Sequence, residues 1–238
     1  MSVRDSHYRA KRPFRARGLA DLERLVGGVV ADIERFASSR QPVRVLELGC
    51  GYGTALLELG ARFGARVELH GLNREAIDGD AATLERNAAE RGIVLPPGSF
   101  PSLHYGDVAH GLPFADGAFD LVYSQVAWLY FGDKLGVLRE VSRVLSPDGL
   151  AKIDADEVRT SLPPEHARLV EIRERGELVT LGDYLRRHDC ELRLAPEGHY
   201  IAVTKSRTLG DDVALVAQYD TSALHGDWDG VRCLYRVR

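Results

Sequence analysis

The 238-residue chain predicts an α/β fold, a mostly parallel sheet with helices on both faces and antiparallel strands added at the C-terminal end. Three observations carry this. Short apolar runs alternate with amphipathic stretches between residues 43 and 154. The first run leads straight into a glycine-rich loop, Gly49-Cys50-Gly51-Tyr52-Gly53. Beyond Pro163 the runs are separated by polar turns instead.

Taken in order, residues 1–18 lack apolar periodicity and form a basic arm, and residues 19–238 form one domain. Leu22, Leu25, Val26, Val29, Val30, Ile33 and Phe36 recur at helical spacing, which predicts one amphipathic helix over Leu19–Ser38. Gln41-Pro42 ends it, and Val43–Leu48 reads as a buried strand. Thr54–Phe63, with Leu56, Leu57 and Leu59, is the helix after the glycine loop. Arg66–Leu72 is a second strand and 74–90 a helix; Leu95-Pro96-Pro97-Gly98-Ser99 is a loop. Leu103–Tyr105 and Phe119–Ser124 are strands three and four. Lys134–Leu145 is a helix with an apolar face of Leu135, Val137, Leu138, Val141 and Val144. Ser146-Pro147-Asp148-Gly149 reads as a stop and turn before strand Leu150–Asp154. A helix is expected over 164–188. Strands Leu192–Leu194, Tyr200–Thr204, Val213–Tyr219 and Val231–Val237 follow, as hairpins extending the same sheet.

Composition narrows the function classes. No run of about 18 apolar residues exists to span a membrane, and no apolar leader marks a secreted chain, so the cytoplasm is the expected compartment. Cys50, Cys190 and Cys233 are too few and too scattered for a disulfide framework or a zinc knuckle. The net charge of −4 argues against a general nucleic-acid binder, yet residues 1–18 carry Arg4, Arg9, Lys11, Arg12, Arg15 and Arg17 against Asp5 alone.

The residue types that carry chemistry fall where strands end. In open α/β sheets a ligand lies at the carboxyl ends of the strands, near the point where strand order reverses. The glycine loop, with Gly49, Gly51 and Gly53, follows strand one and is preceded by Glu47; Asn73 follows strand two, Asp107 and Val108 strand three, Ser124 and Gln125 strand four. The G-x-G-x-G spacing differs from the G-x-G-x-x-G of dinucleotide dehydrogenases and argues against NAD.

Residues 40–155 resemble the class I S-adenosylmethionine-dependent methyltransferases, in particular their small-molecule enzymes. The resemblance rests on Val45-Leu46-Glu47-Leu48-Gly49-Cys50-Gly51-Tyr52-Gly53, Tyr105-Gly106-Asp107-Val108, Leu112-Pro113-Phe114, Phe119-Asp120-Leu121-Val122, Leu138-Arg139-Glu140-Val141 and Leu145-Ser146-Pro147-Asp148-Gly149-Leu150. It implies a Rossmann-like seven-stranded sheet and S-adenosylmethionine as cofactor, with transfer of its methyl group to a small-molecule acceptor. By the same resemblance the glycine loop, Cys50 included, lies against the methionine moiety and Glu47 helps hold its ammonium. Asp107 accepts from the adenine amino group while the Val108 N–H donates to the ring. Ser124 and Gln125 lie beside the cofactor. Relatives usually carry an acid where this chain has Asn73, whose amide accepts from one ribose hydroxyl and donates to the other.

Several positions keep two readings. The basic arm is either a solvated tail, a contact for RNA or protein substrates, or a lid that brings Tyr8 and Phe14 onto the acceptor. Trp128, Tyr130 and Phe131 either line an acceptor pocket or pack the core. Asp154, Asp156 and Glu157 do not match a magnesium pattern, and no metal is expected. His104, His199 and His225 are single candidates for a base, and no catalytic residue is assigned. The C-terminal strands either offer an edge to a second copy, making a homo-oligomer, or cover the sheet. A cofactor-binding protein without transferase activity is the alternative from another class.

Overall fold

In a computed structural model of the chain, which describes residues 17–128, 131, 133–155, 171–174, 177–205, 215–219 and 233–237, the alternating runs form strands and helices in the expected succession. α1 (Leu19–Leu25) and α2 (Val29–Ala37) precede β1 (Val43–Leu48), α3 (Thr54–Phe63), β2 (Val67–Asn73), α4 (Ala81–Arg91) and β3 (Ser102–Tyr105). Then come β4 (Phe119–Ser124), α5 (Lys134–Val144), β5 (Leu145–Asp154), β6 (Glu171–Glu174) and β7 (Glu177–Thr180). α6 (Leu181–Arg186), β8 (Cys190–Ala195), β9 (Gly198–Thr204), β10 (Leu215–Tyr219) and β11 (Cys233–Val237) complete the order.

Seven strands form one sheet in the order β3-β2-β1-β4-β5-β9-β8. Pairing is parallel from β3 through β5, and β9 runs antiparallel between β5 and β8. The order reverses between β1 and β4, so the connections leaving these two strands part and open a crevice at their carboxyl ends.

Burial on both faces explains why the strands read as near-continuous apolar runs. Along β1, Val43 and Val45 point into a cluster with Leu22, Ile33 and Leu56 from α1, α2 and α3. Leu46 and Leu48 point the other way, against Leu135, Leu138 and Val141 of α5. Removing one such leucine side chain costs about 2–5 kcal/mol. Helix starts follow local chemistry: Asp80 accepts from the Thr83 N–H at 2.8 Å, and Asp133 from the Gly136 N–H at 3.0 Å. At the start of β4, buried Asp120 accepts from the Arg44 N–H and guanidinium and from Arg40.

Five expectations are corrected. The helix expected over 74–90 begins only at Ala81, where Asp80 caps it, and the residues before it form a loop with a 3-10 turn at Ala76–Asp78. The single helix over 19–38 is two, because Gly27 and Gly28 take φ of +65° and +66° and break it. β5 begins at Leu145 rather than Leu150, its pairing with β4 shifting register between Phe119 and Leu121. Within the expected helix 164–188, β6 and β7 instead pair antiparallel, followed by the short α6. Finally, β8 and β9 extend the main sheet as expected, but β10 and β11 join β6 and β7 in a second sheet of order β10-β11-β6-β7. The arm 1–16 lies outside the described residues.

Candidate functional site

The loop after β1 is shaped by three glycines in the left-handed region, Gly49, Gly51 and Gly53, with φ of +71°, +54° and +63°. They play different parts. A side chain at Gly49 would meet the Ala127 Cβ at 2.6 Å, so this glycine lets the loop close against the segment after β4. A side chain at Gly51 would meet none of the described residues within 4 Å, so among them the loop faces open space there. Gly53 begins α3 with no side-chain cap, which leaves first-turn N–H groups available to an anionic ligand group. The Leu72 carbonyl at the end of β2 accepts from both Gly49 N and Cys50 N, at 2.8 and 3.3 Å.

Asn73, the last residue of β2, holds this loop in place. Its Oδ1 accepts from Gly51 N at 2.8 Å, and its Nδ2 donates to Gly51 O at 3.0 Å and Gly79 O at 3.1 Å. Both amide protons are spent on backbone, and the residue is only 2 % exposed. Asn73 therefore clamps two loops together and has no donor left for a ligand.

Glu47 lies buried two residues before the glycine loop. Its carboxyl receives the Gln125 amide at 2.9 Å and the Tyr123 hydroxyl at 3.3 Å. Burial pushes its pKa from 4.5 up to about 8, against the lowering pull of those two hydrogen bonds. The Gln125 Oε1 is buried without a hydrogen-bond partner among the described residues. Ser124, fully buried, donates its hydroxyl to Leu48 O at 3.0 Å and braces β1 against β4.

At the end of β3, Asp107 stands half-exposed just before a 3-10 turn formed by Val108–His110. Arg74, the residue after β2, approaches it at 3.8 Å. An open pocket of about 450 Å³ adjoins it, lined by Tyr105, Gly106, Asp107, His110, Leu112 and Glu140 among others. The strand-end positions Glu47, Gly49, Gly51, Gly53, Asn73, Asp107, Val108, Ser124 and Gln125 thus gather at one end of the sheet, Asn73 and Ser124 bonded to the protein itself.

For Trp128 the structure favours the core over the acceptor pocket. The residue is 0 % exposed, packed in the core under the buried Lys134 ammonium, whose Nζ also donates to the Trp128 carbonyl. Burial on all sides makes it part of the core and not of an acceptor-lining surface, and Phe131 packs edge-on against it. Tyr8, Phe14, Tyr130, Asp156, Glu157 and His225 lie outside the described residues. Cys50 is buried and its thiol pKa is held well above the ordinary value, first by burial and then by the Glu47 charge, so it is a packing residue. Asp154 accepts from Val126 N at 3.0 Å. His104 meets His70 at 3.0 Å within an aromatic cluster with Phe114 and Phe119. Among the described residues no group of His, Cys, Asp or Glu has the arrangement of a metal site.

Two participants escaped the sequence reading. Tyr123 sits in register with Glu47 across β1 and β4, a pairing that only the strand alignment reveals. The loop 74–79 lies against the glycine loop because Gly79 admits it: a side chain there would strike Gly51 O at 2.1 Å. The dipeptide Gly79-Asp80 before a helix was the signal.

Residues 46–153 match the family model described as a methyltransferase domain. With the strand order and the glycine loop, this makes the core of the chain similar to the class I S-adenosylmethionine-dependent methyltransferases over that span. The chain is similar to the glycine/sarcosine/dimethylglycine N-methyltransferase of Actinopolyspora halophila, 35 % identical over 106 residues, which cover 44 % of this chain and 17 % of that protein. It is 39 % identical over 107 residues to the dimethylglycine N-methyltransferase of Parasynechococcus marenigrum, covering 44 % of this chain and 34 % of that one. A malonyl-[acyl-carrier protein] O-methyltransferase of Geobacter sulfurreducens is 32 % identical over 144 residues, covering 56 % and 48 %. The chain thus spans less than half the length of each of these curated relatives.

The residues present fit the cofactor of that class. Gln125 Oε1 offers a buried acceptor to its ammonium, and the open space at Gly51 admits its aminoacyl part. Half-exposed Asp107 offers a carboxylate to an amino-purine edge. No helix of the described residues is long and apolar enough to cross a membrane.

Proposed function

We propose that this chain transfers the methyl group of S-adenosylmethionine to a small-molecule acceptor, releasing S-adenosylhomocysteine. One juxtaposition carries this: the glycine loop, the Glu47–Gln125 pair and Asp107 all stand at the carboxyl ends of strands around the point where sheet order reverses. The names of the Actinopolyspora and Parasynechococcus relatives support a small amine as the acceptor.

When bound, the cofactor supplies a methyl group already activated on a sulfonium, which an acceptor lone pair takes in line as the carbon–sulfur bond breaks. The work left to the chain is positioning. Glu47 and Gln125 would hold the ammonium, the uncapped start of α3 would receive the carboxylate, and Asp107 with the Val108 N–H would read the adenine edge. Ser124 and Asn73 keep the loops that carry these groups fixed. An amine acceptor that arrives neutral needs no strong base.

The test is calorimetric titration of the full chain with S-adenosylmethionine, S-adenosylhomocysteine and NAD, with Asp107→Ala alongside. Micromolar binding of the first two and none of NAD is expected, with about tenfold weaker binding and an unchanged melt for the variant. No binding of either sulfur compound overturns the reading.

A further inference from the structure

We propose that Asp78, not Asn73, is the side chain that receives the ribose hydroxyls of the bound cofactor. The inference rests on the cofactor reading above and assigns a group within that site.

The loop 74–79 bridges the two ends of the cleft. At one end Arg74 reaches Asp107 at 3.8 Å. At the other, Gly79 seats directly against the Gly51 carbonyl, and its own carbonyl accepts from Asn73 and, at 3.4 Å, from the Tyr105 hydroxyl. Asp78 thus stands on a segment that runs between the place for a purine and the glycine loop. In an adenosine whose 5′ carbon carries an amino-acid chain, the sugar is the group between those two.

Asp78 is built as a binding group. Its Oδ2 accepts from Glu75 N at 3.2 Å, which fixes the side chain on its 3-10 turn, Ala76–Asp78. Its Oδ1 has no hydrogen-bond partner among the described residues although the residue is only 4 % exposed. A buried carboxylate oxygen without a donor is costly and calls for one. The carboxylate lies close enough to Cys50 of the glycine loop for its charge to help raise that thiol's pKa, after burial and Glu47. A carboxylate accepts only, and a vicinal diol brings two donors, so the two match. Asn73 matches two donors poorly: its single acceptor oxygen already receives Gly51 N, and its amide protons, committed to Gly51 O and Gly79 O, have no part in receiving hydroxyls. What Asn73 does is hold the neighbouring Gly79 so that Asp78 is placed.

The experiment is calorimetry of the full chain with S-adenosylhomocysteine and its 2′-deoxy and 3′-deoxy analogues, on the wild type and Asp78→Asn, each variant checked by its thermal melt. A hydrogen bond to a charged group corresponds to about tenfold or more in affinity. The wild type should lose at least about tenfold on removal of a hydroxyl, and Asp78→Asn should bind the parent compound about tenfold more weakly while discriminating far less among the three. Full affinity or full discrimination in the variant overturns the assignment and leaves the cofactor reading intact. If the variant fails to fold, the wild type still decides: equal binding of all three compounds overturns the assignment. A wild type that binds none of them overturns both readings.

Discussion

The Glu47 carboxyl and the Gln125 amide meet at 2.9 Å across the ends of β1 and β4, with the Tyr123 hydroxyl closing on the same carboxyl at 3.3 Å. Burial outweighs both hydrogen bonds and lifts the Glu47 pKa from 4.5 to about 8. Between those values the unfolded chain gives up a proton that the folded chain keeps. Stability therefore falls as pH rises through that window, by at most ~1.4 kcal/mol per pH unit. Glu47→Gln keeps the shape and removes the titration. Urea unfolding at pH 5.5, 6.5 and 7.5 should show the variant's stability falling less steeply than the wild type's. Parallel curves would show that Glu47 is already ionised in the fold.

Asp120 makes the opposite contribution. Its burial works against ionisation, but hydrogen bonds from Arg44, Arg40 and Ser146 prevail and hold its pKa below 3.8. The stability this contributes is present above the unfolded value and is lost as pH falls through the lowered one. Asp120→Ala leaves Arg40 and Arg44 able to turn toward water, so a loss of about 2–4 kcal/mol is expected at neutral pH, less than for a fully enclosed pair. Below about pH 3 the difference from the wild type should narrow. Equal losses at pH 6 and pH 3 would show that shape alone is at stake.

Asn73→Asp separates the clamp from a ribose ligand. Were residue 73 a direct ligand, an acid there would tighten cofactor binding. The geometry says otherwise: the new oxygen would face Gly51 O and Gly79 O, at the 3.0 and 3.1 Å now spanned by amide donation. Two hydrogen bonds are lost and repulsion replaces them, for a destabilisation of about 2–4 kcal/mol. Protonation returns one donor, so the loss should shrink as pH is lowered. Chemical denaturation at pH 7 and pH 5 checks this, and an equally stable variant with improved S-adenosylhomocysteine affinity would refute it.

Sequence reasoning reached the main sheet and the set of strand-end residues because both depend on local pattern. Apolar runs bounded by turns mark buried strands, and alternate glycines mark a loop in the left-handed region. What it missed depends on who meets whom. Asn73 looks like a ligand until Gly79, six residues on, is found against its amide. Trp128 keeps two readings until the Lys134 ammonium is found over its ring and the indole fully buried. The β6–β7 pair read as helix because Ile172, Leu178 and Val179 show too few alternations, in strands of four residues, to reveal a period of two. The break at Gly27-Gly28 was legible, since two glycines in an exposed turn of helix are a costly continuation.

The glycines of the loop make the sharpest separation of fold from ligand site. At Gly49 an added methyl would lie 2.6 Å from the Ala127 Cβ, and the backbone φ of +71° is strained for alanine as well. Gly49→Ala must push the loop away from the segment after β4. A loss of about 2–4 kcal/mol is expected, combining overpacking of about 1–3 kcal/mol with a left-handed penalty of about 1 kcal/mol. At Gly51 the added methyl meets none of the described residues within 4 Å, so the backbone penalty at φ +54° is the cost expected, about 1 kcal/mol. Its methyl, however, projects into the open space assigned to the aminoacyl part of the cofactor. Gly51→Ala should therefore keep most of its stability in urea while binding S-adenosylhomocysteine at least about tenfold more weakly. A variant with lowered stability and unchanged affinity would place the ligand away from this loop.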